Sequence, residues 1–169
     1  MLELDKNIED LKIDLFSGNT DLIVETIHSV KLSPHYELID SLFDLYLTTQ
    51  KQEIKTELFA LFIDIKDKRF VEKLVQSLQK PKFATISKDL ISISWQTGLD
   101  FCNHLELFIH KMIDGDDEQS IECFSVIESS IDDVSLEMKR KLVELLKPRI
   151  NDFTGIKKAM CDEVLYLLE

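Results

Sequence analysis

The side chains best suited to chemistry are His104 and His110 with Cys102 nearby, the acidic run Asp114-Gly115-Asp116-Asp117-Glu118, and one tryptophan, Trp95. Imidazole and thiolate are zinc donors, but a zinc site needs three or four ligands converging at roughly 2.0–2.3 Å. His104 and His110 stand six residues apart, so on a helix they point roughly 120° away from each other. No second cluster completes a ligand set, and His28 and His35 are as isolated; no metal is expected. The acidic run has the composition of a calcium loop, yet an EF-hand spreads its ligands over about twelve residues and ends on a bidentate glutamate. Here the carboxylates crowd into one turn, where negative charge favours the start of a helix. Nucleophilic catalysis requires a base within reach of the nucleophile. The chain has cysteines and histidines but no recognisable Cys/His signature, nucleophile elbow, P-loop or dinucleotide-binding glycine pattern. The chain therefore reads as non-enzymatic and without a cofactor.

Trp95 carries more information. Its helix places Ile86, Leu90, Ile93 and Thr97 on one side, with Trp95, Ile91 and Ala84 nearly opposite. A helix apolar all round belongs in the middle of an assembly. Two readings stay open for the indole: packing between neighbouring helices, or an anchor for a partner, since tryptophan is enriched at binding hot spots. If it is an anchor, Lys88, Ser92 and Gln96 are its polar neighbours, and Glu57, Asp64, Glu122 and Ser125 are further candidates. Charge is uneven around it. Lys66, Lys68, Arg69, Lys73, Lys80, Lys82 and Lys88 gather before and within this stretch, and Glu118, Glu122, Glu128, Asp132 and Asp133 follow it. Such a pattern is a solvated face or a docking surface that steers an oppositely charged partner.

These residues must be positioned by helices. Apolar residues recur at helical spacing throughout, and nothing alternates with period two for long enough to form a strand. Helices are predicted from Asp5 to Phe16 with Gly18 as stop, and from Thr20 or Asp21 onward through Ile23, Ile27 and Val30. Ser33-Pro34 predicts the start of a third, a serine cap with proline in the first turn, running to Thr48-Thr49. Further helices are expected over about 50–65, over Val71 to Leu78 with Asp67 as cap, and over Phe83 to Thr97 with Gly98 as stop. The last four are Leu105 to Ile113 after Asp100, one opened by Asp116, one started by Asp132-Asp133 or Ser135 and stopped by Pro148, and one led in by Thr154-Gly155.

The pattern repeats. Val71, Leu74, Val75 and Leu78 are matched about 34 residues later by Leu105, Phe108, Ile109 and Met112, and Leu90 and Ile93 by Phe124 and Ile127. Ten helices pair as five units, about 5–32, 33–66, 67–99, 100–131 and 132–169, in one domain spanning residues 1–169. With a helix pair every 32–34 residues, Asp67 and Asp100 opening first helices, and Ile54, Ile86 and Ile121 early in second helices, the chain resembles the HEAT/armadillo-like repeat family. It departs from that family at Lys55, Ser87 and Glu122, where arginine usually stands, and in having alanine only at Ala60, Ala84 and Ala159. The resemblance implies an all-α solenoid, a right-handed stack of about five antiparallel helix pairs, whose second helices line a concave face that binds another protein.

Composition narrows the partner. The chain has 169 residues, 44% of them apolar, with 20 Lys and Arg against 32 Asp and Glu for a formal net charge of -12. That surface repels phosphate backbones, so nucleic acid is disfavoured. The rival, a nucleic-acid-binding protein of the DNA-repair glycosylase type that some HEAT-like proteins resemble, would need a basic channel. Self-association is a third expectation, because Val164-Leu165-Tyr166-Leu167-Leu168 is apolar on more than one face. The opening MLELDKNIED has no secretory signal pattern, and no apolar run approaches the ~20 residues of a membrane span. Three widely spaced cysteines fit reduced thiols in a cytoplasm.

Overall fold

Asn7 opens the first helix by accepting the Asp10 amide on its side-chain oxygen at 3.0 Å. The computed structural model describes residues 7–132 and 134–169; a helix start at Asp5 and the side chain of Asp133 lie outside them. Among the described residues there are ten α-helices and no strand. The chain divides into two compact units, Met1–Lys73 and Leu74–Glu169, with the boundary inside one helix.

The first unit holds α1 (Ile8–Leu15), α2 (Thr20–Leu32), α3 (Ile39–Thr48), α4 (Gln52–Asp64) and the start of α5 (Arg69–Gln79). α2 packs on α1 and α4, and α3 packs on α1 and α4. The centre is aromatic: Phe43 lies 4.9 Å from Phe62 and 5.8 Å from Phe70 between ring centroids. All three rings are fully buried. Pairs of this kind add roughly 0.5–1.5 kcal/mol each beyond the area they bury.

The second unit continues with α6 (Ser87–Gln96), α7 (Leu105–Asp114), α8 (Asp117–Ser130), α9 (Leu136–Leu146) and α10 (Gly155–Leu168). α6, α8 and α10 are successive neighbours in one layer, and α7 and α9 form another that packs on α8 and α10. Only Gly115 and Asp116 separate α7 from α8, so the chain turns straight back. Ser120 then donates to the Met112 carbonyl at 2.8 Å and Gln119 to that of Lys111 at 3.1 Å. These bonds satisfy carbonyls that the end of a helix leaves open. The Lys157 ammonium donates to the Ile113 carbonyl at 3.1 Å and also to that of Gly115, a cation where the helix dipole favours one. Gly98, in the turn after α6, has φ +65, a conformation that suits a residue without Cβ.

Several predicted boundaries move. Asn19, rather than Thr20 or Asp21, caps α2, accepting the Asp21 amide at 3.1 Å. Ser33 does not start a helix; it closes α2, its amide bonded to the Ser29 carbonyl at 3.0 Å. The chain from Pro34 then passes through a 3-10 turn, Tyr36–Leu38, before α3 begins at Ile39. The stretch Pro81–Ile86 is likewise 3-10, so the helix expected from Phe83 begins at Ser87. Ile121, placed on the buried stripe by its spacing, is 40% exposed, because Ser120 takes the inner position. Ile156 is also exposed, and Met138 is half-buried rather than core.

Candidate functional site

The most distinctive surface lies on α6 and α8 of the second unit. Trp95 is 39% exposed, yet its indole N–H donates to the Glu122 carboxylate at 2.7 Å. In the first turn of α6, Lys88 pairs with Glu118. Lys88–Glu118 and Trp95–Glu122 both link a residue of α6 to one of α8 in the same order along each helix, so the two helices run in the same direction. The Glu118 carboxylate raises Lys88 above the usual lysine range. Gln96 donates to the Ser92 hydroxyl at 2.9 Å across one turn of α6, and Ser125 donates to the Ile121 carbonyl at 3.3 Å on α8.

Sequence logic accounts for this placement. On α6 the residues Leu90, Ile91, Ile93 and Ser94 are buried, which turns Lys88, Ser92 and Trp95 outward. On α8 the buried set Ser120, Cys123, Val126 and Ile127 turns Glu118, Ile121, Glu122 and Ser125 to the other face, spaced three and four apart. Two large apolar side chains, Trp95 on α6 and Ile121 on α8, are therefore exposed on helices that also carry Glu118 and Glu122. Ile91 and Ala84, grouped with Trp95 by helical angle, separate from it: Ile91 is fully buried, and Ala84 is exposed on the 3-10 segment.

Of the eight residues proposed from sequence, six lie on α6 and α8: Lys88, Ser92, Trp95, Gln96, Glu122 and Ser125. Glu57 and Asp64 lie on α4 in the other unit, where Glu57 meets His28 at 2.9 Å and Asp64 meets Lys31 at 2.6 Å. Lys31 holds the Asp64 carboxyl below its usual range by hydrogen bonding and charge. Ile121, in the second turn of α8, was missed as a surface residue.

The other chemistry-bearing groups do not converge. Among the described residues no three His, Cys, Asp or Glu side chains are grouped to hold a metal. Asp116 caps α8, accepting the Gln119 amide at 2.8 Å, and Asp100 accepts the Cys102 amide at 2.8 Å. The three cysteines are free thiols. Burial pushes Cys123 up to about 12 and also raises Cys161, so neither is a thiolate nucleophile at neutral pH. The basic cluster falls in both units, and much of it is paired: Arg69 with Asp67, Lys73 with Asp40, Lys88 with Glu118. In α10, Val164 and Leu168 are buried while Tyr166 is exposed. No described helix is long and apolar enough to cross a membrane.

No family model matches this chain, and neither does any curated protein or any solved structure.

Proposed function

We propose that this chain is a non-enzymatic interaction module, a HEAT-like α-solenoid of about five helix pairs acting as a cytoplasmic scaffold. It captures another protein or peptide on the face formed by α6 and α8. The observation that supports this reading is the state of Trp95: large, 39% exposed, and tied by its N–H to Glu122. A buried tryptophan would be core; a loose one would lose rotamer freedom on binding. An indole held in place before the partner arrives meets neither cost. Lys88, Ser92, Gln96 and Ser125 supply the rim, and polar rims around an aromatic anchor are the usual anatomy of a protein interface. The layered contacts within each unit, α2 beside α4 and α6 beside α8 beside α10, support the repeat reading. The same pairing of basic residues with carboxylates that quiets the surface argues against a phosphate-binding channel.

The test uses the purified chain and its Trp95→Ala variant as baits in parallel, at low and moderate salt. A partner retained by the parent chain should be lost by the variant, with affinity down by about 30-fold or more, as for a hot-spot tryptophan worth at least 2 kcal/mol. The melting temperature should stay within a few degrees. Equal retention by both baits, or an unfolded variant, overturns the assignment.

A further inference from the structure

The first unit contains a cavity of about 370 Å³ whose floor is apolar and whose mouth is charged. Val30, Ile39, Leu42 and Leu61 make the floor, all four buried, and half-buried Ile65 stands beside them. The volume falls in the lower part of the roughly 300–1,000 Å³ range of small-molecule sites. One wall is the stretch from Pro34 to Tyr36, where an α-helix expected from the sequence does not form. Aliphatic side chains give water no hydrogen bonds, so water on this floor is poorly held and its displacement by hydrocarbon is favourable.

The charges at the mouth are engaged with one another. Lys31 pairs with Asp64 at 2.6 Å. Arg69 forks onto Asp67, Nε at 3.0 Å and Nη2 at 2.6 Å, and the charge of Glu37 acts on the same guanidinium. Lys31 and Arg69 hold the two aspartates below the usual carboxylate range. The Lys66 ammonium donates to the Ile63 carbonyl at 3.3 Å. The Tyr36 hydroxyl donates to the Arg69 carbonyl at 3.3 Å, and its ring centre already has Arg69 at 4.3 Å and Lys73 at 5.4 Å. His35, half-buried in the wall, offers one donor and one acceptor when neutral and then favours neither sign. An anionic head would have to compete with Asp64, Asp67 or the Ile63 carbonyl for its cation. A cationic head would have to compete with Lys31 or Arg69 for a carboxylate or for the Tyr36 ring. Either exchange undoes one interaction for each it makes, so a charged head recovers little of the hydration it loses.

We propose that this cavity binds a small neutral apolar molecule, its hydrocarbon on Val30, Ile39, Leu42 and Leu61 and no charge at its mouth end. The site belongs to the first unit alone. Burial of hydrocarbon supplies the attraction, and the closed set of charges at the mouth supplies selection against ions of both signs.

Three probes of one chain length separate the heads: decanol, decanoate and decyltrimethylammonium, titrated at pH 8 into the full chain by calorimetry and by backbone amide shifts. Decanol should bind at one per chain, shift the amides of Val30, Ile39 and Leu61, and bind about tenfold or more tighter than either ion. Lys66→Glu, at the mouth, and Lys68→Glu, outside it, should each change decanol affinity by about twofold or less. Either ion binding as tightly as decanol, a several-fold effect of Lys66→Glu, amide shifts that spare Val30, Ile39 and Leu61, or no saturable binding of decanol overturns the proposal.

Discussion

Replacing Glu122 by alanine should loosen Trp95 without unfolding the chain. The Trp95 N–H to Glu122 bond is 2.7 Å long and has an ionised acceptor. Buried, such a bond contributes roughly 1.5–3 kcal/mol. Trp95 is 39% exposed and Glu122 half-buried, so in Glu122→Ala water can take over the indole N–H. The net loss of stability should then be about 0.5–1 kcal/mol, or roughly 1–4 °C in melting temperature for a chain of this size. The larger effect is on mobility. A freed tryptophan must be immobilised again by the partner, at about 0.5–1.5 kcal/mol for one side chain, which weakens capture by roughly 2- to 12-fold. Because the chain has one tryptophan, its fluorescence anisotropy decay and acrylamide quenching read the site without labelling. Glu122→Ala should shorten the indole's local correlation time and raise quenching, and Glu122→Gln, which keeps an acceptor, should fall between. Unchanged anisotropy in Glu122→Ala would show that packing rather than this bond holds the ring, and the pre-organised anchor would be refuted.

Two further outcomes concern the second unit. Gly115→Ala would place a Cβ about 2.7 Å from the Lys111 carbonyl oxygen, backbone that cannot move aside, so the turn between α7 and α8 must distort; a loss of about 1–3 kcal/mol by urea unfolding is expected. Thiol labelling at pH 8 should find Cys102 first. Cys123, raised by burial to about 12, is protonated at that pH in all but about one molecule in ten thousand, and it should react only at the rate at which the unit opens. Mass spectrometry of the alkylated peptides should therefore show half-buried Cys102 modified well before buried Cys123.

The all-α class was legible because local and tertiary preferences agree along most of the chain. Leu105, Phe108, Ile109 and Met112 repeat at helical spacing, and all four are fully buried. Asp116 and Ser135 have the chemistry of caps and do cap, accepting the Gln119 and Met138 amides. Ser33-Pro34 has equally good start chemistry and fails. There the tertiary contacts of Tyr36 with Arg69 compete with the local signal, and the helix is delayed to Ile39. Ile121 failed for a different reason. A hydrophobic pattern counts isoleucine as inside and serine as outside, yet Ser120 is buried with its hydroxyl 2.8 Å from both the Met112 and Asp116 carbonyls, which share its one proton. Once its hydrogen bonds are made a small polar group can occupy the interior, and its larger neighbour is turned out. The grouping of Lys88, Ser92, Trp95 and Gln96 followed from spacing on one helix. The partnership of Trp95 with Glu122 did not, because it depends on the register of two helices 27 residues apart in sequence. That register is set by packing, which no local pattern encodes.

The docking face proposed on α6 and α8 is tested most directly by photo-crosslinking in living cells. A photoreactive residue would replace Ile121 or Lys88, both exposed on that face, or Glu25, exposed on α2 in the other unit. Positions 121 and 88 should each yield one adduct of the same discrete mass, reduced when Trp95 is also changed to alanine, and position 25 should yield none. Adducts from position 25 as readily as from 121, or none from 121 and 88, would contradict a partner on this face.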